Sequence, residues 1–79
     1  MRIHVKLSTT LRDHVPGYDP AQGLWADVEH PASIRTLAEQ LRIPMADIKI
    51  VMRNGRHSEL DAPLDEGDRI AFFPAVGGG

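Results

Sequence analysis

One stretch of this 79-residue chain has the spacing of an amphipathic helix: Ser33 is followed by Ile34, Leu37, Ala38 and Leu41, at i, i+3, i+4 and i+7. Ser33 can accept a hydrogen bond as N-cap and Pro44 acts as a stop, which predicts a helix over about 33–42. A single helix can cover one face of one sheet, so the strands must form one layer with one buried side. A chain this short buries only about 60% of its unfolded surface, which allows one core and one domain.

The strands follow from parity. In "MRIHVKL", Met1, Ile3, Val5 and Leu7 alternate with Arg2, His4 and Lys6, the period of a half-buried strand. "LWADVEH" repeats the pattern with Leu24, Ala26 and Val28, leaving Trp25 to face outward or to lie under the preceding loop. That loop, residues 8–22, carries two prolines and several turn formers, with a short turn expected around Leu11 and Arg12. "IKIVMRNGRHSEL" places apolar residues around Ile48, Ile50 and Met52 ahead of Asn54-Gly55, the dipeptide suited to a type I′ hairpin. After the turn Asp65-Glu66-Gly67-Asp68, a last strand over about 69–73 sets Ile70 and Phe72 opposite Ala71 and Phe73. One phenylalanine is core and the other exposed, and parity leaves open which.

A right-handed crossover through the helix lets the first and last strands lie parallel and adjacent. The expected class is α+β: a ubiquitin-like β-grasp, with a mixed sheet of four to five strands on one main helix. The domain would span 1–73, followed by a flexible tail over 74–79 that ends in Gly-Gly.

Several functions are excluded by what the chain lacks. A net charge of −2 with nine scattered Lys and Arg gives no footprint for nucleic acid. Without cysteine there is no disulfide, thiolate metal site or thiol nucleophile. His4, His14, His30 and His57 share no metal-ligand spacing, and Asp61, Asp65, Glu66 and Asp68 lack that of an EF-hand, so these read as surface groups and a solvated turn. Arg12 and Arg53 read as solvated, with partner contact as the alternative. No catalytic triad or phosphate loop is present, so the domain is not expected to be an enzyme alone. The first residues lack the apolar core of a signal peptide and no apolar run is long enough for a membrane span; a cytoplasmic protein without membrane contact is expected.

The remaining feature is the ending, "FFPAVGGG". At average glycine usage of about 7%, three specified glycines occur in roughly 0.03% of chains, so a frayed end is a poor explanation. A terminal carboxyl group titrates at about 3.3–3.7 in short peptides, so at neutral pH it is an ionised carboxylate and unreactive as an electrophile. Attack on the α-phosphate of ATP would give an acyl-adenylate, open to displacement by a sulfur donor or an amine. Glycines lack Cβ and can pass a narrow channel, and six residues beyond Phe73 reach about 20 Å.

Four features, in this order, carry a resemblance: "IHVKL" followed by "TLR", the Asn54-Gly55 turn, "LDEGDRIAFFPAV" and the terminal glycines. Together they make the chain similar to the MoaD/ThiS sulfur carriers, and the long loop after strand one is more like the MoaD branch. Ser8-Thr9, where Phe-Ala is frequent, Pro74-Ala75, where two prolines are frequent, and the third glycine, Gly77, depart from that pattern.

The resemblance implies a sulfur carrier in molybdopterin synthesis, with Gly79 as the adenylated and thiocarboxylated residue and Gly78 beside it. It implies partner contacts at Phe72, Phe73, Pro74, Val76 and Gly77. The implied partners are a ubiquitin-activating-type adenylyltransferase (MoeB/ThiF-like), a sulfurtransferase and a MoaE-like large synthase subunit. The carrier itself would bind no cofactor and no metal, ATP being used by the activating enzyme. The alternatives are a carrier for thiamin or another thiolated product, a modifier joined to lysines, and a β-grasp module that binds without covalent chemistry.

Overall fold

A computed structural model describes residues 1–75. Val76, Gly77, Gly78 and Gly79, on which much of the tail expectation falls, lie outside the described residues. Five strands and one α-helix follow in the order β1 (Arg2–Leu7), β2 (Leu24–Asp27), α1 (Ile34–Gln40), β3 (Ile48–Arg53), β4 (Arg56–Ser58) and β5 (Arg69–Pro74). The sheet order is β2-β1-β5-β3-β4, with β1 and β5 parallel at its centre and the other pairs antiparallel. This is the β-grasp arrangement expected from the sequence.

Alternation decides the two faces. Ile3, Val5 and Leu7 of β1, Ala26 of β2, Val51 of β3, and Ile70 and Phe72 of β5 are buried together. They meet Ile34, Leu37 and Ala38 of α1, and Leu11, Ile43 and Leu64 close the core at its margins. Each fully buried large aliphatic or aromatic side chain contributes about 1.5–3 kcal/mol, so this one interface accounts for most of the hydrophobic stabilisation.

The helix starts as expected. The Ser33 hydroxyl accepts from the Thr36 N–H at 3.2 Å, and the Thr36 hydroxyl accepts from the Ser33 N–H at 3.3 Å, a reciprocal cap. It ends before Pro44, and earlier than residue 42, because Arg42 takes a φ of 61°. Ile43 N–H then donates to Ala38 O and Arg42 N–H to Glu39 O, both at 3.0 Å, a Schellman closure made without glycine. Leu41 is thus the C-cap and only partly buried.

On β3 the expected apolar set is redistributed. Val51 is the core residue, while Ile50 is 39% exposed and Met52 partly so. The register with β5 shifts between Ile48 and Ile50, which breaks the simple alternation through this strand. The Asn54-Gly55 turn has φ values of 51° and 82°, both positive as a type I′ turn requires.

The long loop is organised by contacts that are distant in sequence. It opens with a 3-10 turn over Thr9–His14 that buries Leu11, and the Tyr18 hydroxyl accepts from the Leu7 N–H at 2.8 Å. At its end Gly23 has a φ of 73°, and a Cβ there would lie 2.7 Å from the Val5 carbonyl oxygen. Glycine is needed twice over at this position. Gly55 has positive φ with open space around it. Gly23→Ala is therefore expected to cost about 2–4 kcal/mol in urea unfolding and Gly55→Ala about 1 kcal/mol. Equal losses would show that the approach to Val5 is not limiting.

Candidate functional site: the base of the tail and the open sheet face

Because one helix covers one face, the other face of the sheet is open. Phe72 pairs with Leu7 and Val51 on the core side and is fully buried; Phe73 pairs with Ile50 on the open side and is partly exposed. The expected partner set is corrected here: the Phe72 ring belongs to the core and cannot be presented to a partner. Phe73 and Pro74 do reach the surface, and Val76, Gly77, Gly78 and Gly79 lie outside the described residues. Pro74 is the last strand residue, opposite Ile48, one position beyond the expected end of the strand.

Phe73 divides the open face into two grooves. One, of about 440 Å³, is lined by His4, Lys6, Met52, Arg69, Ala71 and Phe73 among others. The second, of about 470 Å³, is lined by Ser8, Thr9, Thr10, Ile50, Phe73, Pro74 and Ala75. Ser8-Thr9 and Pro74-Ala75, two of the three departures noted in the sequence, thus fall on one groove. Thr9 holds a φ of 44°, a left-handed conformation that costs a β-branched residue about 1–3 kcal/mol. Ser8 N–H donates to Phe72 O at 3.2 Å, which ties this segment to the base of the tail.

Further along the face, Trp25 is 54% exposed. The Arg2 guanidinium carbon lies 4.7 Å from its ring centroid and the His4 ring 4.8 Å away. His4 Nε2 is 2.8 Å from Gln22 O, which ties this half-buried ring to the end of the long loop.

The start of β5 is fixed by a polar clamp that charge patterning alone did not reveal. Arg53 Nε donates to Asp68 Oδ2 and Arg53 Nη2 to Asp65 Oδ2, each at 2.9 Å. Asn54 Nδ2 donates to Asp68 Oδ1 at 2.9 Å, and the Asp65 N–H to Asp68 Oδ2 at 2.8 Å. Arg53 and Asp68 were expected to be solvated; Asp68 is buried, with 6% exposure. Burial pushes the Asp68 carboxyl up, but the bonds from Asn54, the Asp65 amide and Arg53, with the Arg53 charge, outweigh it and hold the group below the ordinary carboxylate value. Arg12 donates from Nε to Leu7 O at 2.9 Å, and Asp61 pairs with Arg35 at 2.8 Å. Among the described residues no group of three His, Asp or Glu is placed to hold a metal. No helix there is long and apolar enough to cross a membrane.

A model of the ThiS family matches residues 21–79. The chain belongs to the ThiS family. Among solved structures, this ThiS-family chain is similar to small archaeal modifier protein 1 of Haloferax volcanii, with a TM-score of 0.74, 21% identity, and 95% and 98% of the two chains covered. It is similar to a Pyrococcus furiosus protein assigned as molybdopterin converting factor subunit 1, with a TM-score of 0.73, 21% identity, and 96% and 99% covered. A complex of subunits 1 and 2 of the Helicobacter pylori molybdopterin-converting factor also matches, with a TM-score of 0.63, 18% identity and both chains fully covered. At these identities the likeness establishes the fold. No curated protein matches the sequence.

Ile50, Ala75 and the Ser8–Thr10 segment are absent from the sequence-derived site. For Ile50 the sequence signal is the apolar run Ile50-Val51-Met52, which no half-buried strand needs on its outer side; for Ser8, Thr9 and Ala75 it is their departure from the family pattern.

Two outcomes are expected. Phe72→Ala costs about 3–5 kcal/mol in urea unfolding, whereas Phe73→Ala costs less than about 1.5 kcal/mol; equal losses would contradict the division of faces. Asp68→Asn loses about 2–3 kcal/mol at neutral pH. Because the folded Asp68 value is depressed, its stabilisation is complete above the unfolded value of about 3.9 and disappears as pH falls through the folded one. The gap between wild type and variant in unfolding free energy should therefore shrink below about pH 4; a gap that is constant with pH would rule the clamp out as its source.

Proposed function

We propose that this ThiS-family chain is a sulfur carrier, and that its C-terminal Gly79 is the reacting residue. The observation that carries the reading is the family match running through to residue 79 on a body whose last strand leaves the centre of the sheet. A Gly79 carboxylate oxygen attacks the α-phosphorus of ATP, pyrophosphate leaves, and an acyl-adenylate forms. A sulfur nucleophile of the hydrosulfide or persulfide class then attacks the carbonyl carbon and expels AMP. With hydrosulfide, loss of one proton leaves the thiocarboxylate; with a persulfide, a thiol must also reduce the S–S bond.

ATP belongs to the activating enzyme, an adenylyltransferase of the MoeB/ThiF type, and the sulfur comes from a sulfurtransferase. The carrier binds no cofactor and is a co-substrate or small subunit instead of an enzyme. We assign its sulfur to molybdopterin synthesis in the cytoplasm, with a MoaE-like large subunit as acceptor complex; the solved complex of converting-factor subunits with the same fold supports this partner. Likeness to small archaeal modifier protein 1 favours a second reading, in which a lysine amine displaces AMP and the chain becomes a modifier.

The test is intact-protein mass spectrometry after incubation with a matched activating enzyme, ATP and a sulfur donor. Exchange of one oxygen for sulfur, localised to Gly79 and absent without ATP, is the expected result. Deleting Gly78 and Gly79 should abolish it with the thermal midpoint unchanged. A lysine-linked adduct would transfer the assignment to the modifier, and an unchanged mass with an enzyme proven active would leave a non-covalent binding module.

A further inference from the structure

Asn54 is the only asparagine in the chain, and a glycine follows it. The hairpin requires that pair for its two positive φ values, yet the same pair is the one most open to hydrolysis. Gly55 has no Cβ to shield its backbone nitrogen, which can therefore approach the Asn54 side-chain carbonyl carbon with little hindrance. Asn54 is exposed, so water reaches the site.

The fold opposes this reaction in two ways. Asn54 Nδ2 donates to Asp68 Oδ1 and Asn54 Oδ1 accepts from the Arg69 N–H, each at 2.9 Å, which pins both polar ends of the side chain to the entry of β5. The turn backbone is held as well, because Asn54 N–H donates to Arg69 O at 2.8 Å and Arg53 pairs with Arg56 across the turn. Ring closure must bring the Gly55 nitrogen into the plane of Asn54 Cα, Cβ and Cγ, a rotation about the Asn54 Cα–C bond that the paired turn does not allow. Asp68 is itself fixed: it is buried, and Arg53 Nε and the Asp65 N–H also donate to it. Attack thus needs a local opening in which the clamp and the turn let go together.

We infer that Asn54 is a site of spontaneous hydrolytic modification gated by the Asp68 clamp, protected while the start of β5 is closed and reactive when it opens. The Gly55 nitrogen bonds to Asn54 Cγ and gives up its proton, and the side-chain nitrogen leaves as ammonia, which produces a cyclic imide. Water then adds to either imide carbonyl and breaks its C–N bond, leaving an acid at position 54 linked through its α- or its β-carboxyl. Water is the only co-reactant. Neither product can rebuild the clamp, since the new carboxylate has no N–H for Asp68 and carries the same charge beside it. The β-linked product also adds a backbone carbon to a two-residue turn. Each opening that ends in reaction is therefore irreversible.

The experiment follows the full chain at neutral pH and physiological temperature, with peptide mapping by mass spectrometry for the amide-to-acid change at position 54. The chain unfolded in urea gives the unprotected rate, and the folded wild type should react at least about ten-fold more slowly. Gly55→Ala should slow the unfolded-chain reaction about ten-fold or more, because the added Cβ hinders attack. Asp68→Ala is compared with Leu37→Ala, a helix-core variant that keeps the clamp, with urea used to bring both to the same unfolded fraction. Asp68→Ala should react about five-fold or more faster. If it does not fold, Arg53→Gln, which removes two bonds of the clamp and leaves Asn54 in place, is used instead. The hydrolysis product made genetically, Asn54→Asp, should melt below the wild type. Equal rates for folded and unfolded wild type, equal rates for the clamp and helix variants, or a wild-type melting point for Asn54→Asp would overturn the inference. None of these measurements needs an activating enzyme, so their outcome is separate from that of the proposed sulfur chemistry.

Discussion

The parallel pairing of β1 with β5 places the first and last strands side by side in the middle of the sheet, with Val5 beside Ile70 and Leu7 beside Phe72. Parallel neighbours run in the same direction, so the residues that follow β1 and those that follow β5 emerge at the same end. That is why Ser8, Thr9 and Thr10 meet Pro74 and Ala75 although more than sixty positions separate them in the chain. The same pairing fixes the parity of β5 from both sides, since β1 and β3 each bring a buried residue next to Phe72. The outward position of Phe73 follows from that register and not from any preference of its own.

Once the single helix has taken one face, the outer face is free to be specialised. It is apolar near the tail, through Phe73, Ile50 and Met52, and cationic and aromatic towards β2, through Arg2, Lys6 and Trp25. Neither region is needed for the core, whose residues are all on the other side. For the proposed reaction this separation has a use: substitutions on the outer face can alter partner choice while leaving the packing that stabilises the domain in place.

Much of this was legible locally. The Ser33 cap, the stripe of Ile34, Leu37 and Ala38, the Asn54-Gly55 turn and the alternation of β1 are short-range patterns, and short-range physics produces them. What escaped is long-range. The helix end depends on Arg42 adopting a conformation usually left to glycine, which its identity does not announce. The facing of β3 was hidden because Ile50, Val51 and Met52 are all apolar, so alternation carries no signal there. Arg53 and Asp68 read as solvated charges because their fifteen-residue separation gives no hint that the β3–β4 turn and the β5 entry adjoin. The course of residues 8–22 is set by Tyr18 reaching Leu7 and by Gly23 passing under Val5, neither of which a composition of turn formers can reveal.

These long-range contacts hold β5 at both ends. Asp68 is clamped by Arg53, Asn54 and the Asp65 amide where the strand begins, and Phe72 is bonded by Ser8 where it finishes. The position and direction of the chain at Ala75 are consequently properties of the folded body. A partner that recognises the groove therefore recognises the point from which the remaining residues start. For the proposed chemistry, the reach of about 20 Å from Phe73 to Gly79 is then measured from a fixed origin.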